Sequence, residues 1–258
     1  MPVIVPYLMG GLGNQLFQVA SACTFSSLTG NQIYLSYNHR QSSPHTDKDY
    51  FRNVFKKLNR EQVNIPLLPV NEGPKLQSFD VEKYLEIAKQ KNTLLFGYFQ
   101  NWKFIPTNFK DYLQFENSDL LKKYPDIQER CFIHVRGGDY VNHQLHDVGL
   151  KGYYQKCIED VQERRGITKI AIFTNDMEYC KKQEFLNTLD CIRVDENELD
   201  SLYLMTQCRA CIMANSTFSW WGAFLNRNRP IYMPSKWFND PEYNISGYFF
   251  PGCIIVSV

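Results

Sequence analysis

Along the chain, short apolar runs alternate with stretches whose apolar positions recur every three to four residues. Val3-Ile-Val-Pro-Tyr-Leu-Met9 predicts a buried strand, Gly10-Gly11-Leu12-Gly13 a turn, and residues 15–25 a helix that stops at Gly30-Asn31. Residues 32–37, mixing β-branched and aromatic side chains, predict a second strand. From 38 to 71 the pattern is polar and irregular, and Pro66-Leu-Leu-Pro69 interrupts any long element, so loops and short helices are expected. Strands are then predicted at 93–99, 131–136, 169–174, 191–194, 210–214 and 231–234. Helices are predicted over 153–162, from Leu199 and from Ser219.

Strands that alternate with helices through both halves predict an α/β protein with right-handed crossovers and parallel sheets. The expected organisation is two such halves, split near residues 120–130, with a cleft between them. With 258 residues and 44% hydrophobic content, the chain is long enough for this. Its 28 basic and 27 acidic residues give a formal charge of +1, which supplies no general field for long nucleic acid or an anionic membrane. An anionic ligand must therefore be held by a local site. The start of the chain lacks the basic and apolar regions of a signal peptide, and no apolar stretch reaches the length of a membrane span. The expectation is a soluble, cytoplasmic chain. Eight cysteines include one CxxC spacing, Cys208-Arg-Ala-Cys211, with no second pair and no nearby histidine, so free structural thiols are expected.

Three places carry candidate chemistry. Gly10-Gly11-Leu12-Gly13-Asn14-Gln15 sits where a strand turns into a helix; glycines let the backbone approach a ligand, and the helix start offers unpaired amides. A tight turn alone would also explain the glycines. His134-Val-Arg136-Gly137-Gly138-Asp139-Tyr140 ends a strand, where open α/β sheets bind ligands, and it sets His134 and Arg136 on one face. The arginine fork suits phosphate oxygens, while Asp139 could orient it or accept a proton. A surface ion pair is the alternative. Asn215-Ser216-Thr217, between a short strand and a helix, offers hydroxyls and amides to an anion, or simply caps the helix. His143, His146 and Asp147 are rival proton acceptors. Asp47-Lys48-Asp49 spells an Asp-x-Asp metal motif but lies in a polar stretch, where a solvated loop is the simpler reading.

With Phe173-Thr-Asn-Asp176 and the continuation Phe218-Ser-Trp-Trp-Gly-Ala223, these motifs resemble, in order and spacing, the α-1,2-fucosyltransferases of glycosyltransferase family 11. The resemblance implies a GT-B fold of two Rossmann-like domains facing across a cleft, residues 1–125 on the acceptor side and 126–258 binding the GDP-sugar. It also implies inverting transfer of fucose from GDP-fucose to a galactose hydroxyl, O2, of a glycan; the rival readings are transfer of another GDP-linked deoxyhexose such as rhamnose on the same fold, and a non-catalytic module that binds glycans. The GDP-sugar would be a co-substrate, and no metal or other cofactor is implied. It places Arg136 on the diphosphate, His134 at the nucleotide, Asp200 at the guanine edge, and Asp176, Asn215, Ser216 and Thr217 around the donor. Gly11, Gly13, Asn14 and Gln15 would approach from the other domain. Arg136, His134 and Asp139 are the catalytic candidates. The family commonly reads His-x-Arg-Arg-Gly-Asp, whereas Gly137 stands at the second arginine here. A lost charged contact of that kind costs about 1.5–3 kcal/mol when uncompensated.

Overall fold

The computed structural model describes residues 1–42, 50–76, 81–115, 117–226 and 228–258. The Asp47-Lys48-Asp49 tripeptide lies outside them. The chain divides into two compact units, Met1–Phe115 with Glu242–Tyr248, and Glu116–Pro241 with Phe249–Val258.

In the first unit, β1 (Val3–Pro6) leads into α1 (Leu12–Thr29), followed by β2 (Gln32–Ile33), β3 (Leu35–Ser36), β4 (Arg60–Glu61), β5 (Leu68–Asn71), α2 (Val81–Gln90) and β6 (Thr93–Phe96). The main sheet has the order β2-β1-β6-β5, and its strands pair in parallel. Helix α1 ends at Gly30, whose φ of 76° suits a residue without a Cβ and whose amide donates to the Ser26 carbonyl at 2.8 Å. The single strand expected over 32–37 is broken. Tyr34 N donates to Ile4 O at 3.0 Å, but Leu35 N donates to Asn59 O at 2.9 Å, so the chain leaves β1 for β4. Pro69 does not prevent β5 from forming, because β5 is an edge strand and a ladder donor can be missing there.

The second unit runs α3 (Ser118–Lys123), β7 (Cys131–Val135), α4 (Lys151–Glu159), β8 (Ile170–Thr174), α5 (Met177–Lys181), α6 (Glu184–Asn187), β9 (Cys191–Arg193), α7 (Glu198–Gln207), β10 (Ala210–Ile212), α8 (Thr217–Leu225), β11 (Ile231–Pro234) and β12 (Cys253–Val256). It begins before the 125/126 boundary expected from sequence, because the segment around α3 is bonded into it. Asn117 Nδ2 donates to Asp200 Oδ1 at 3.3 Å, and the Tyr124 hydroxyl donates to Glu196 at 2.8 Å. Strand β12, which the sequence reading did not include, pairs with β11. Helix α8 starts at Thr217 rather than Ser219.

The six strands follow the order β12-β11-β10-β7-β8-β9, with parallel pairing throughout. After β7 the chain adds β8 and β9 on one side, then crosses to add β10, β11 and β12 on the other. The loops leaving β7 and β10 consequently diverge at the carboxyl ends of two adjacent strands, the place where open α/β sheets bind ligands. One face of the sheet buries Ile133, Val135, Ile170 and Ile172 against Tyr153 and Cys157 of α4. Both residues of the Trp220-Trp221 pair are fully buried core, packed with Phe224 and Phe250. All eight cysteines are free thiols. Among the described residues, no helix is long and apolar enough to cross a membrane.

Helices α7 and α8 approach closely at Gly222, where an added Cβ would come within 2.9 Å of Met205 Cβ and 2.7 Å of its Sδ. Alanine favours a helix interior over glycine by about 1 kcal/mol, whereas overpacking costs about 1–3 kcal/mol. Met205 is fully buried and its Cβ is fixed by the helix backbone, so overpacking wins. Gly222→Ala is expected to lower unfolding stability, by up to about 2 kcal/mol, in urea titration. A rise in stability would show that the contact is not tight.

Candidate functional site in the second unit

Strand β7 delivers His134 and, one residue beyond its end, Arg136. His134 is 2% exposed, and its ring lies 5.8 Å from that of Phe218 in the first turn of α8. The Tyr154 hydroxyl donates to its carbonyl oxygen at 2.8 Å. Burial first, and the neighbouring Arg136 charge second, push the imidazole from its ordinary 6.5 down to about 3. The ring is therefore neutral near pH 7. Its Nδ1 is buried with no hydrogen-bond partner in the protein, a condition that a ligand or ordered water would relieve.

Arg136 donates through Nη2 to Asp139 Oδ1 at 2.7 Å, and its guanidinium lies 4.7 Å from the centre of the Tyr140 ring. The ion pair and the ring orient the side chain, while its buried Nε has no partner in the protein. Asp139, the sequence-derived candidate base, is thus engaged with the arginine through one oxygen.

The loop that carries these groups is clamped from β8. Asn175 Oδ1 accepts from Gly137 N at 2.9 Å, and Asn175 Nδ2 returns a bond to Gly137 O at 3.3 Å. Asp176 caps α5 by accepting from Tyr179 N at 2.9 Å, and its other oxygen accepts from Gly138 N at 3.2 Å. Both oxygens of Asp176, expected at the donor, hold backbone amides. Gly138 has φ +59°, the left-handed conformation the turn requires.

A second brace comes from β10. Asn215 is 2% exposed, and its amide nitrogen donates to the carbonyls of His146 and Trp237, each at 2.9 Å. It thereby fixes the loop of the three rival bases. In that loop the His146 ring stacks on Tyr140 at 4.6 Å and contacts His143 and Phe238. Burial, then the His143 charge, lowers its pKa. His143 Nδ1 accepts from Leu145 N at 3.1 Å, and Asp147 Oδ2 accepts from Asn142 N at 2.9 Å, so both turn their polar atoms inward on the loop.

Ser216 occupies the N-cap position of α8 in extended conformation, yet its hydroxyl makes no capping bond. The ordinary capping explanation therefore does not account for it. Thr217 opens the helix. Asp200 lies in the first turn of α7, beyond the carboxyl end of β9, where it accepts from Asn197 Nδ2 at 2.6 Å and from Asn117. The remaining predicted residues belong to the first unit. Gly11 is the N-cap residue of α1, Gly13 lies in its first turn, Gln15 is 2% exposed and donates to Gly10 O at 2.9 Å, and Asn14 Oδ1 accepts from Gln100 at 2.9 Å. Gln15 thus locks its own glycine turn.

Residues 5–248 match the sequence profile of Glycosyl transferase family 11. The chain belongs to glycosyltransferase family 11. It is 29% identical to an alpha-1,2-colitosyltransferase of Escherichia coli, over 95% of each chain, and 24% identical to galactoside alpha-(1,2)-fucosyltransferase 1 of Alouatta caraya, over 92% of this chain and 69% of that one. Its fold is similar to that of NodZ alpha-1,6-fucosyltransferase co-crystallized with GDP, with a TM-score of 0.56, 14% identity, and coverage of 87% of this chain and 93% of that one. The protein is a glycosyltransferase with the α/β, parallel-sheet units of the GT-B type.

For this family 11 enzyme, the geometry explains why glycine stands at position 137. A Cβ there would sit 2.8 Å from both Asp176 Cβ and Tyr179 Cδ1. The start of α5 fills the space that a second arginine would need. The sequence motifs did not single out Asn175, Tyr179 or Phe218 as individual residues, although Asn175 and Phe218 lie inside the quoted motifs; Tyr179 carried no signal.

Two outcomes follow. Gly137→Arg should lower activity and thermal stability rather than restore a phosphate contact; a more active variant would show that α5 can yield. The unfolded chain takes up a proton on His134 as pH falls through 6.5, while the folded chain takes it up only near pH 3. His134 therefore contributes a loss of stability as pH falls from 6.5 toward about 3, by at most about 1.4 kcal/mol per pH unit. Urea unfolding across that range should show a shallower slope for His134→Gln; equal slopes would mean that the ring titrates normally.

Proposed function

We propose that the chain transfers L-fucose from GDP-fucose, with inversion and without a metal, to a galactose O2 of a glycan acceptor. The observation that carries this reading is the meeting, at the switch point between β7 and β10, of an oriented arginine, a neutral buried histidine with an open nitrogen, and a helix start that its own serine leaves uncapped. An acceptor hydroxyl attacks the anomeric carbon, a new C–O bond forms, and the bond from that carbon to the β-phosphate oxygen breaks. Negative charge then grows on GDP, where the Arg136 fork and the first amides of α8 stabilise it. These groups are preorganised, so little reorganisation accompanies bond breaking. In this reading Asp139 orients Arg136, and it is the leading candidate to accept the hydroxyl proton through its second oxygen. His134, held neutral, serves as a hydrogen-bonding group at the nucleotide rather than as a cation. Asp176 and Asn215 act as positioning residues for the two loops. Asp200 reading guanine, and Gly11, Gly13, Asn14 and Gln15 serving the donor, belong to the same proposal.

The relative named a colitosyltransferase favours a second donor of the same class, another GDP-linked deoxyhexose. Release of GDP measured with GDP-fucose, GDP-colitose, GDP-rhamnose and GDP-mannose separates the donors, with GDP-fucose expected to be fastest and a chelator expected to have no effect. Arg136→Ala should lower kcat/KM by about two to three orders of magnitude, with weaker GDP binding. Undiminished turnover in that variant would overturn the site, and preference for another sugar would overturn the donor alone.

A further inference from the structure

The near-neutral net charge conceals a strong local imbalance in the second unit. At the amino end of its sheet, opposite the edge that carries Arg136, a cavity of about 540 Å³ is lined by Arg164, Arg165, Arg209 and Arg229, together with Ile167 and Gly252 among others. These are four of the eleven arginines in the chain, with no lysine and no acidic residue among the lining side chains. Arg209 and Arg229 lie just before β10 and β11, and Arg164 and Arg165 follow α4. One carboxylate, Asp160, is bonded to two of the four, Arg164 at 3.2 Å and Arg165 at 3.5 Å, and it also accepts a hydrogen bond from the Tyr232 hydroxyl.

The arginines are not simply dispersed on the surface. Arg229 is positioned by a bond from Nη1 to Asn228 O at 3.1 Å, and it packs over Gly252, where an added Cβ would lie 3.1 Å from its Nε. Gly252 has φ +87°, so both its conformation and its lack of a side chain admit the guanidinium. Gathering four like charges around one concavity costs electrostatic energy unless an anion occupies it. Guanidinium groups, as planar forks, match phosphate oxygens in a way that ammonium groups do not.

We propose that this pocket binds a phosphate-bearing ligand, a phosphomonoester or diphosphate group, at a place separate from the carboxyl-edge site. Such a group comes either from a soluble phosphorylated molecule or from an anionic lipid headgroup.

The test uses the full chain with GDP present at saturation and inorganic pyrophosphate as probe, followed by calorimetry at low and moderate salt. Binding is expected to persist beside GDP, to weaken with salt, and to fall about tenfold or more in Arg209→Gln/Arg229→Gln, while Arg136→Ala leaves it unchanged. Both substituted side chains are exposed, and thermal melting verifies folding. Should the double variant melt early, Arg164→Gln/Arg165→Gln provides the second reading. Absence of pyrophosphate binding, or binding that depends on Arg136 and not on these arginines, overturns the proposal; the comparison holds even if GDP itself fails to bind. Co-sedimentation with phosphatidylglycerol vesicles against phosphatidylcholine vesicles then assigns the source. Sedimentation lost in the double variant identifies a lipid headgroup, and pyrophosphate binding without sedimentation identifies a soluble ligand.

Discussion

Parallel strands cannot be joined by tight hairpins, so every connection in the sheet of the second unit must return the chain to the opposite edge, and all strand ends of one kind emerge on one edge. When the order of addition reverses between β7 and β10, their outgoing loops are forced apart. Everything at the candidate site depends on that divergence. It places the residues after Val135 beside those after Ile212, which are distant in sequence, and it sets the first turn of α8 next to the end of β7. The chemistry is delivered by two loops, but their adjacency is a property of the sheet.

Loops of this kind must satisfy their own backbone before they can present side chains. Asn175 and Asp176 hold the amides of Gly137 and Gly138, and Asn215 holds the carbonyls of His146 and Trp237. With the loops fixed by these amides and carboxylates, Arg136 and His134 retain polar atoms that the protein leaves unbonded. The same logic gives position 137 to glycine, since the start of α5 must come close enough to make the clamp. A glycine at position 137 and tight docking of α5 are two sides of one packing choice.

This division of labour also explains what the sequence could reveal. Alternation of apolar strands and periodic helices made the α/β class legible, and the strand ends near 136 and 214 pointed to the candidate site because glycine, arginine and hydroxyl residues cluster just after them. Residue type does not disclose the hydrogen-bond partner. Asp176, Asn215 and Gln15 carry chemistry suited to a ligand, yet both carboxylate oxygens of Asp176 and the amide nitrogens of Asn215 and Gln15 are bonded within the protein. Strand β5 was hidden by Pro69, which is tolerated only at a sheet edge that local sequence does not mark. The start of the second unit was hidden because Asn117 and Tyr124 join it through partners some seventy to eighty positions away. Net charge, a sum over the chain, likewise concealed the arginine-lined pocket.

The central claim is that the diphosphate of a nucleotide sugar sits at the carboxyl ends of β7 and β10. A crystal structure of the chain with GDP tests it most directly. Diphosphate oxygens are expected within hydrogen-bonding distance of the Arg136 guanidinium and of backbone amides at residues 216–218, with the His134 Nδ1 bonded to the nucleotide or to a water that touches it. Diphosphate bound away from Arg136, or an Arg136 still paired only with Asp139 while GDP is bound elsewhere, would contradict it.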